Sequence, residues 1–241
     1  MNRRFALTAF HLKLIAVFSM FIDHLGYTLF PGVLWLRCIG RLAFPIFAFQ
    51  IAEGAARTRD LKKYLLRLAI FAVIAEIPFN LMCRRSLTYP YGQNVLWTLL
   101  IALAAIGLIR WAEGKSRPGL LAAMWTVAAV GGWLLGELAY TDYGGWGVVT
   151  VLVFYACRDK KWGLPLELAA MIAINAFALG SAHVMVGSVL FPIQALAVLA
   201  LIPIHLYRGE QGPHSRALQY AFYAFYPVHI LLLALIAMVL R

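Results

Sequence analysis

The run Leu12–Leu29, LKLIAVFSMFIDHLGYTL, is apolar enough to cross a bilayer as one helix, yet it carries Lys13 near one end and Asp23-His24 well inside. Crossing the hydrocarbon takes about 20 apolar residues. An ionisable side chain within such a span is expensive and marks a pathway or a reaction centre. Lys13 and His24 are eleven residues apart, three helical turns plus roughly 20°, so they share one stripe with about 16 Å between them. The first helix therefore offers a cation at its mouth and an imidazole in its interior on the same face.

The rest of the chain fits that solvent. Hydrophobic residues make up 63% of it and charged residues 13%, with a mean hydropathy of +0.81. Soluble domains are about half apolar and about a quarter charged, so the expected class is an all-α, polytopic integral membrane protein whose partner is the lipid bilayer. Nine spans are legible, at 12–30, 39–56, 64–82, 94–111, 119–140, 145–157, 164–181, 186–206 and 218–240, and residues 1–241 read as a single transmembrane domain. The punctuation agrees: Pro31-Gly32, Pro90-Tyr91-Gly92, Pro118-Gly119, Gly144-Gly145, Gly163 and Gly209–Pro213 fall between spans.

A net charge of +11 would suggest nucleic acid in a soluble chain. Nine spans from an inside N-terminus place fourteen Lys and Arg inside and five outside, with Lys13 and Arg67 just within the inner helix ends. That is the positive-inside pattern. The expected topology is N-in and C-out, with no nucleic acid partner. Met1-Asn2-Arg3-Arg4 before an apolar run imitates a signal peptide, but no small-residue cleavage site follows, so the run reads as a mature helix. Cys38, Cys83 and Cys157 are dispersed and lack metal-ligand spacing, so no metal is expected. No internal repeat supports an inverted-repeat transporter. Oligomeric state is not legible, because lipid-facing and partner-facing apolar surfaces look alike.

Three constellations carry chemistry. Adjacent helical residues point about 100° apart, so Asp23 is expected to pair with another helix rather than with His24, and Arg41 is the candidate. Histidine is the commonest general base because its pKa lies near physiological pH; the structural alternative is a histidine hydrogen-bonded for packing. Gln50, Glu53 and Arg57 share a polar face, and Glu53 precedes Arg57 at the favourable i, i+4 spacing for an ion pair. Third, Arg57, Arg59, Lys62, Lys63 and Arg67 crowd eleven positions. An ordinary cytosolic loop explains most of them, but Arg67 lies a turn inside the next helix. With Lys13 they suit a phosphate clamp. Further polar residues sit at unusual depth: Glu76, Asn80, Asn94, Thr98, Asn175, Gln194 and the Tyr220, Tyr223, Tyr226, His229 stripe. No Walker or dinucleotide-binding motif is present.

The stretches KLIAVFSMFIDHLG, RCIGRLAFPIFAFQIAEGAARTRDLKKYLLRL, NVLWTL, TDYGGWG, LYRGEQG and FYAFYPVHI resemble the TraX family, integral membrane proteins of conjugative plasmids that are similar to an acetyltransferase for pilin. They run from Lys13 to His229, and Arg208 stands where the family usually carries Asn. TraX in turn resembles a wider group of transmembrane acyltransferases, including acyltransferase-three proteins and the lysosomal heparan glucosaminide acetyltransferase. These pair a basic residue with a histidine ten intervening residues later, a signature that Lys13-x10-His24 resembles.

The resemblance implies an acyl-CoA-dependent acetyltransferase that takes acetyl from cytosolic acetyl-CoA, its only cofactor. The product side is an amine or hydroxyl acceptor at the membrane or its outer face, a pilin N-terminus or an envelope glycan. His24 is then the catalytic base and Asp23 its support. Lys13, Arg41, Arg57, Lys62, Lys63 and Arg67 are the acetyl-CoA contacts, Arg41 also being a candidate for the oxyanion. Glu53, Glu76, Asn94, Asp142, Tyr223, Tyr226 and His229 line the acceptor side or the channel. Direct transfer and a covalent acetyl-histidine both remain open. Two other classes stand beside this one. A transporter would use Asp23, His24 and Glu76 as a proton relay, and a non-catalytic assembly factor would tolerate loss of His24.

Overall fold

The computed structural model describes residues 6–180, 183–186 and 188–240. Arg3, Arg4 and Arg241, which entered the charge asymmetry, lie outside them. The elements run α1 (Ala9–Thr28), α2 (Leu34–Gly40), α3 (Ala43–Arg57), α4 (Leu61–Arg84), α5 (Val95–Glu113), α6 (Pro118–Thr126), a π-helical turn (Val127–Gly131), α7 (Gly132–Leu138) and α8 (Gly144–Cys157). Then come α9 (Gly163–Ile172), a second π-helical stretch (Ala173–Ala178), strands β1 (His183–Val186) and β2 (Val189–Pro192), a 3₁₀ helix (Ile193–Ala200), α10 (Leu201–His205) and α11 (Arg216–Val239). Among the described residues six helical stretches are long and apolar enough to cross a membrane: Ala9–Thr28, Leu34–Arg57, Leu61–Arg84, Val95–Glu113, Pro118–Leu138 and Arg216–Val239. Three shorter apolar helices are Gly144–Cys157, Gly163–Ala178 and Ile193–His205. The protein is thus an α-helical, multi-pass membrane protein.

Local chemistry sets the ends. Thr8 caps α1 in a capping box with His11, Asp60 caps α4, Asn94 caps α5 and Ser215 caps α11. Each side-chain oxygen takes an amide that the first turn leaves without a helical partner. The caps on α1 and α4 lie a turn before the first apolar residue of the expected spans, so those helices start earlier. The span expected at 39–56 is interrupted at Arg41-Leu42. Pro45 has no amide to give the Arg41 carbonyl, and a proline fits in the first turn of a restarting helix.

The stretch 186–206 differs more. Its opening belongs to an antiparallel hairpin, His183 pairing with Pro192 and Met185 with Leu190. The helix that follows has only thirteen residues, eight of them 3₁₀. A 3₁₀ helix rises about 2 Å per residue against about 1.5 Å for α, so these thirteen reach roughly 24 Å rather than about 20 Å.

The chain divides into two compact units, Met1–Gln50 with Leu168–Arg241, and Ile51–Glu167. Alanines recur among larger apolar residues in both cores: Ala16, Ala48, Ala197 and Ala200 in the first unit, and Ala55, Ala72, Ala75 and Ala102 in the second, are fully buried. Helices associating in lipid gain chiefly from close backbone packing, which small side chains allow. Phe18, Val73, Leu138, Phe177 and Val239 are largely exposed, as lipid-facing side chains should be.

Candidate functional site

In the first unit α1 packs against α2 with glycines at the seam. A methyl group on Gly26 would come within 2.7 Å of the Leu36 Cβ, and one on Gly40 would collide with the Asp23 carboxylate. This close approach brings two arginines of the α2 region onto one acid. Arg37 donates from Nη1 to the Asp23 backbone carbonyl at 3.1 Å and to its Oδ2 at 2.7 Å. Arg41 donates from Nη2 to Asp23 Oδ1, from Nε to the Arg37 carbonyl at 3.2 Å, and from Nη1 to Gln194 Oε1 at 2.9 Å. Gln194 donates on to Asn175 Oδ1 at 3.0 Å, and Asn175 to the Met171 carbonyl at 2.9 Å. Asp23 is 9% exposed, and two guanidiniums on one carboxylate leave a net positive charge inside the unit.

One residue along α1, His24 faces α11. Its Nδ1 stands 2.7 Å from His229 Nε2, and His229 Nδ1 stands 2.6 Å from the Phe225 carbonyl on the preceding turn of α11. The two imidazoles are nearly coplanar, 10° apart with centroids at 5.0 Å. The Phe225 ring stacks on His229 at 4.6 Å, and Phe21 and Tyr226 meet it edge-on or tilted. His229 and Tyr226 are buried, and His24 is half-buried. Nε2 of His24 has no hydrogen-bond partner among the described residues.

Lys13, one turn from the start of α1, lies with Nζ 5.6 Å from the Phe222 ring centre, in a recess lined by Phe10, Lys13, His214, Leu218 and Phe222. Both ends of the stripe read from the sequence therefore abut α11.

The other candidates belong to the second unit, or to the end of α3 that enters it. Glu53 pairs with Arg57 at 2.6 Å. Arg110 donates to the carbonyls of Ala55 and Thr58, capping the end of α3 with positive charge. Lys62 and Lys63 are exposed, and Lys63 pairs with Asp60 at 2.9 Å. Arg67 lies over the Tyr64 ring with its Nε buried and unpartnered. Glu76 Oε2 takes Asn94 Nδ2 at 2.5 Å and Trp97 Nε1 at 3.0 Å, while its Oε1 is buried without a partner. Asn94 also donates to the Ala72 carbonyl and accepts the Leu96 amide, so its amide is fully committed to joining α4 and α5. Asp142 has an exposed side chain and holds its loop through the backbone, donating to the Gln93 carbonyl and accepting from Thr98.

Asp23 thus meets Arg41, the partner expected for it, and His24 meets His229, which the sequence marked only as polar lining. Arg37 was missed as a site residue, because it sits in what read as a connection between spans. Its i, i+4 relation to Arg41 was the available signal. Among the described residues no group of three His, Cys, Asp or Glu side chains is placed to hold a metal ion.

Fold and site together define a helical, multi-pass membrane protein with an oriented histidine pair beside a buried Asp–Arg–Arg cluster. The chain belongs to the TraX family: the family model described as TraX protein matches residues 9–237. It is 33% identical over 254 aligned residues to the probable fimbrial assembly protein FimC, serogroup H1, of Dichelobacter nodosus, a match covering all of both chains. It is 26% identical over 175 residues to protein TraX of Escherichia coli, covering 70% of this chain and 65% of that one. No solved structure matches.

Proposed function

We propose that the protein is a bacterial inner-membrane acetyltransferase that moves acetyl from acetyl-CoA to an amine or hydroxyl acceptor of the cell envelope, with His24 as general base. The observation that carries this reading is the state of His24: one ring nitrogen is held by His229, and the other has no hydrogen-bond partner among the described residues, in a unit that also holds a cluster with excess positive charge. A base and an electrostatic stabiliser are what acyl transfer needs. In the reaction the acceptor's heteroatom bonds to the acetyl carbonyl carbon and its proton passes to His24 Nε2. The carbon–sulfur bond then breaks, and the departing thiolate takes that proton back. Arg37 and Arg41 supply the field that stabilises the oxyanion and keep Asp23 in place.

Lys13 is assigned to the donor's phosphates, at about 16 Å along α1 from His24, a length comparable with an extended pantetheine arm. In the second unit Arg67 supports a phosphate role by its unspent buried donor, and Arg57, Lys62 and Lys63 are assigned with it. The topology stays N-in and C-out, with the donor on the cytosolic side. The name of the Dichelobacter relative favours an acceptor connected with fimbrial assembly, such as a pilin N-terminus, with an envelope glycan as the other choice.

Purified protein incubated with radiolabelled acetyl-CoA and membrane extract tests the reading. Wild type should transfer label, and His24→Ala should lose about 10²–10⁴-fold while keeping its thermal shift with CoA. The absence of both binding and turnover in folded wild type overturns the proposal and favours the proton-relay transporter, with Asp23, His24 and Glu76 as carriers.

A further inference from the structure

We infer that His229 is a positioning residue that fixes the tautomer of His24, so that the lone pair of His24 lies on Nε2 and is available to a reacting group. As a statement about a base it rests on the proposed acetyl transfer; as a statement about proton placement it stands alone.

The argument runs outward from a backbone carbonyl. The Phe225 oxygen only accepts hydrogen bonds, so His229 Nδ1, 2.6 Å away, must carry a hydrogen. His229 is 4% exposed, enclosed by Phe21, Phe225 and Tyr226, and among the described residues no carboxylate pairs with it. A second proton would leave an imidazolium buried without a counter-ion, which is costly. His229 is therefore the neutral ring with its hydrogen on Nδ1, and its Nε2 is an acceptor. The 2.7 Å contact then requires His24 Nδ1 to donate. Neutral His24 has only one hydrogen to place, so its Nε2 is left with the lone pair. Each ring's state follows from the hydrogen bond that its other nitrogen makes.

Geometry adds orientation. The near-coplanar rings put the Nδ1–H of His24 in line with the His229 lone pair. Stacking on Phe225 holds the His229 ring. The spacing that builds this puts His229 one turn of α11 beyond the adjacent Phe225 and Tyr226, at i+4 and i+3, which the sequence displays as FYPVH. His229 touches no reacting atom in this scheme and acts only through His24.

The test is nitrogen NMR of the full-length protein in detergent with ¹⁵N-labelled histidine, the two signals assigned by His24→Gln and His229→Gln. Wild type should show both rings neutral with hydrogen on Nδ1, the less common form of a free imidazole. His229→Gln offers an amide oxygen to the same donor and should leave His24 protonated on Nδ1. His229→Phe removes the acceptor and should release His24 to the Nε2–H form. In the acetyl-transfer assay the Phe variant should lose at least about 10-fold in kcat with KM unchanged, and the Gln variant should recover most of it. A wild-type His24 with its hydrogen on Nε2 overturns the inference. So does a His229→Phe protein in which His24 keeps its tautomer. If the tautomer pattern holds and no acetyl transfer is found, the proposed reaction fails and the proton placement stands.

Discussion

Gly40 lies flat against Asp23: a methyl group placed on that glycine would fall on the carboxylate itself. The same carboxylate holds Arg37 and Arg41, so one missing side chain on α2 determines whether the ion cluster can form. Gly40→Ala should shift Asp23, break at least one guanidinium contact and destabilise the protein by about 1–3 kcal/mol or more. Gly26→Ala is the control, because its obstruction is the apolar Leu36 Cβ. Both variants should melt earlier in detergent, and only Gly40→Ala should also lose acetyl transfer beyond its loss of folded protein. Equal loss in both would disconnect the cluster from activity.

Removing the acid itself is a sharper experiment. Asp23→Ala leaves two guanidiniums confronting each other in a site where Asp23 is 9% exposed. Breaking a buried pair from one side typically costs about 3–5 kcal/mol, much of it the penalty of the stranded charge. Adding Arg37→Met to Asp23→Ala should therefore recover part of the lost stability, since Arg37 is the more exposed of the two arginines. Thermal unfolding of the two single variants and the double variant measures it. Strict additivity would mean that the cluster is not energetically coupled.

The Asp23–Arg41 pair was legible in the sequence because a carboxylate at membrane depth needs a partner and its neighbour on the helix points elsewhere. Arg37 was not, because a seven-residue helix is too short to show a periodicity and its basic residue passes for loop charge. His229 stood out as a polar residue on an apolar helix, but its partner lies 205 positions away, and no local pattern encodes such a contact. The hairpin at 183–192 escaped for another reason. Its apolar, β-branched residues read equally as a buried strand or as the start of a helix, and tertiary packing decides between them. The caps, by contrast, were present in the letters, with Thr8, Asp60, Asn94 and Ser215 each standing just ahead of an apolar run.

Glu76 separates the proposed enzyme from the rival relay. Its Oε2 accepts from Asn94 and Trp97, a role that an amide oxygen can fill. Glu76→Gln should therefore keep the fold, leave Trp97 fluorescence nearly unchanged and retain acetyl transfer. Glu76→Ala strands two buried donors, each worth about 1–3 kcal/mol, and should red-shift the tryptophan emission and lower the melting temperature. A folded Glu76→Gln protein that loses proton-coupled substrate flux would instead identify a proton carrier and favour transport.

Asp60 offers a local pH test outside the membrane-spanning helices. Its carboxyl is held below the ordinary 3.8, first by the Lys63 backbone amide and next by the Lys63 side chain. A lowered folded pKa means that the cap's contribution is fully present above the unfolded value and is lost as pH falls through the folded one. Exchange of the Lys63 amide, corrected for its intrinsic pH dependence, should therefore accelerate as the solution is taken below about pH 4. Asp60→Asn keeps an oxygen for the amide and loses the titration, so its corrected exchange should stay flat across that range. Salt distinguishes the two causes: about 1 M salt shortens the Debye length to roughly 3 Å and weakens the ammonium contact, yet leaves the amide hydrogen bond. Because the amide is the larger cause, most of the pH dependence should survive high salt. Its disappearance there would make the exposed ion pair, and not the cap, the source of the effect.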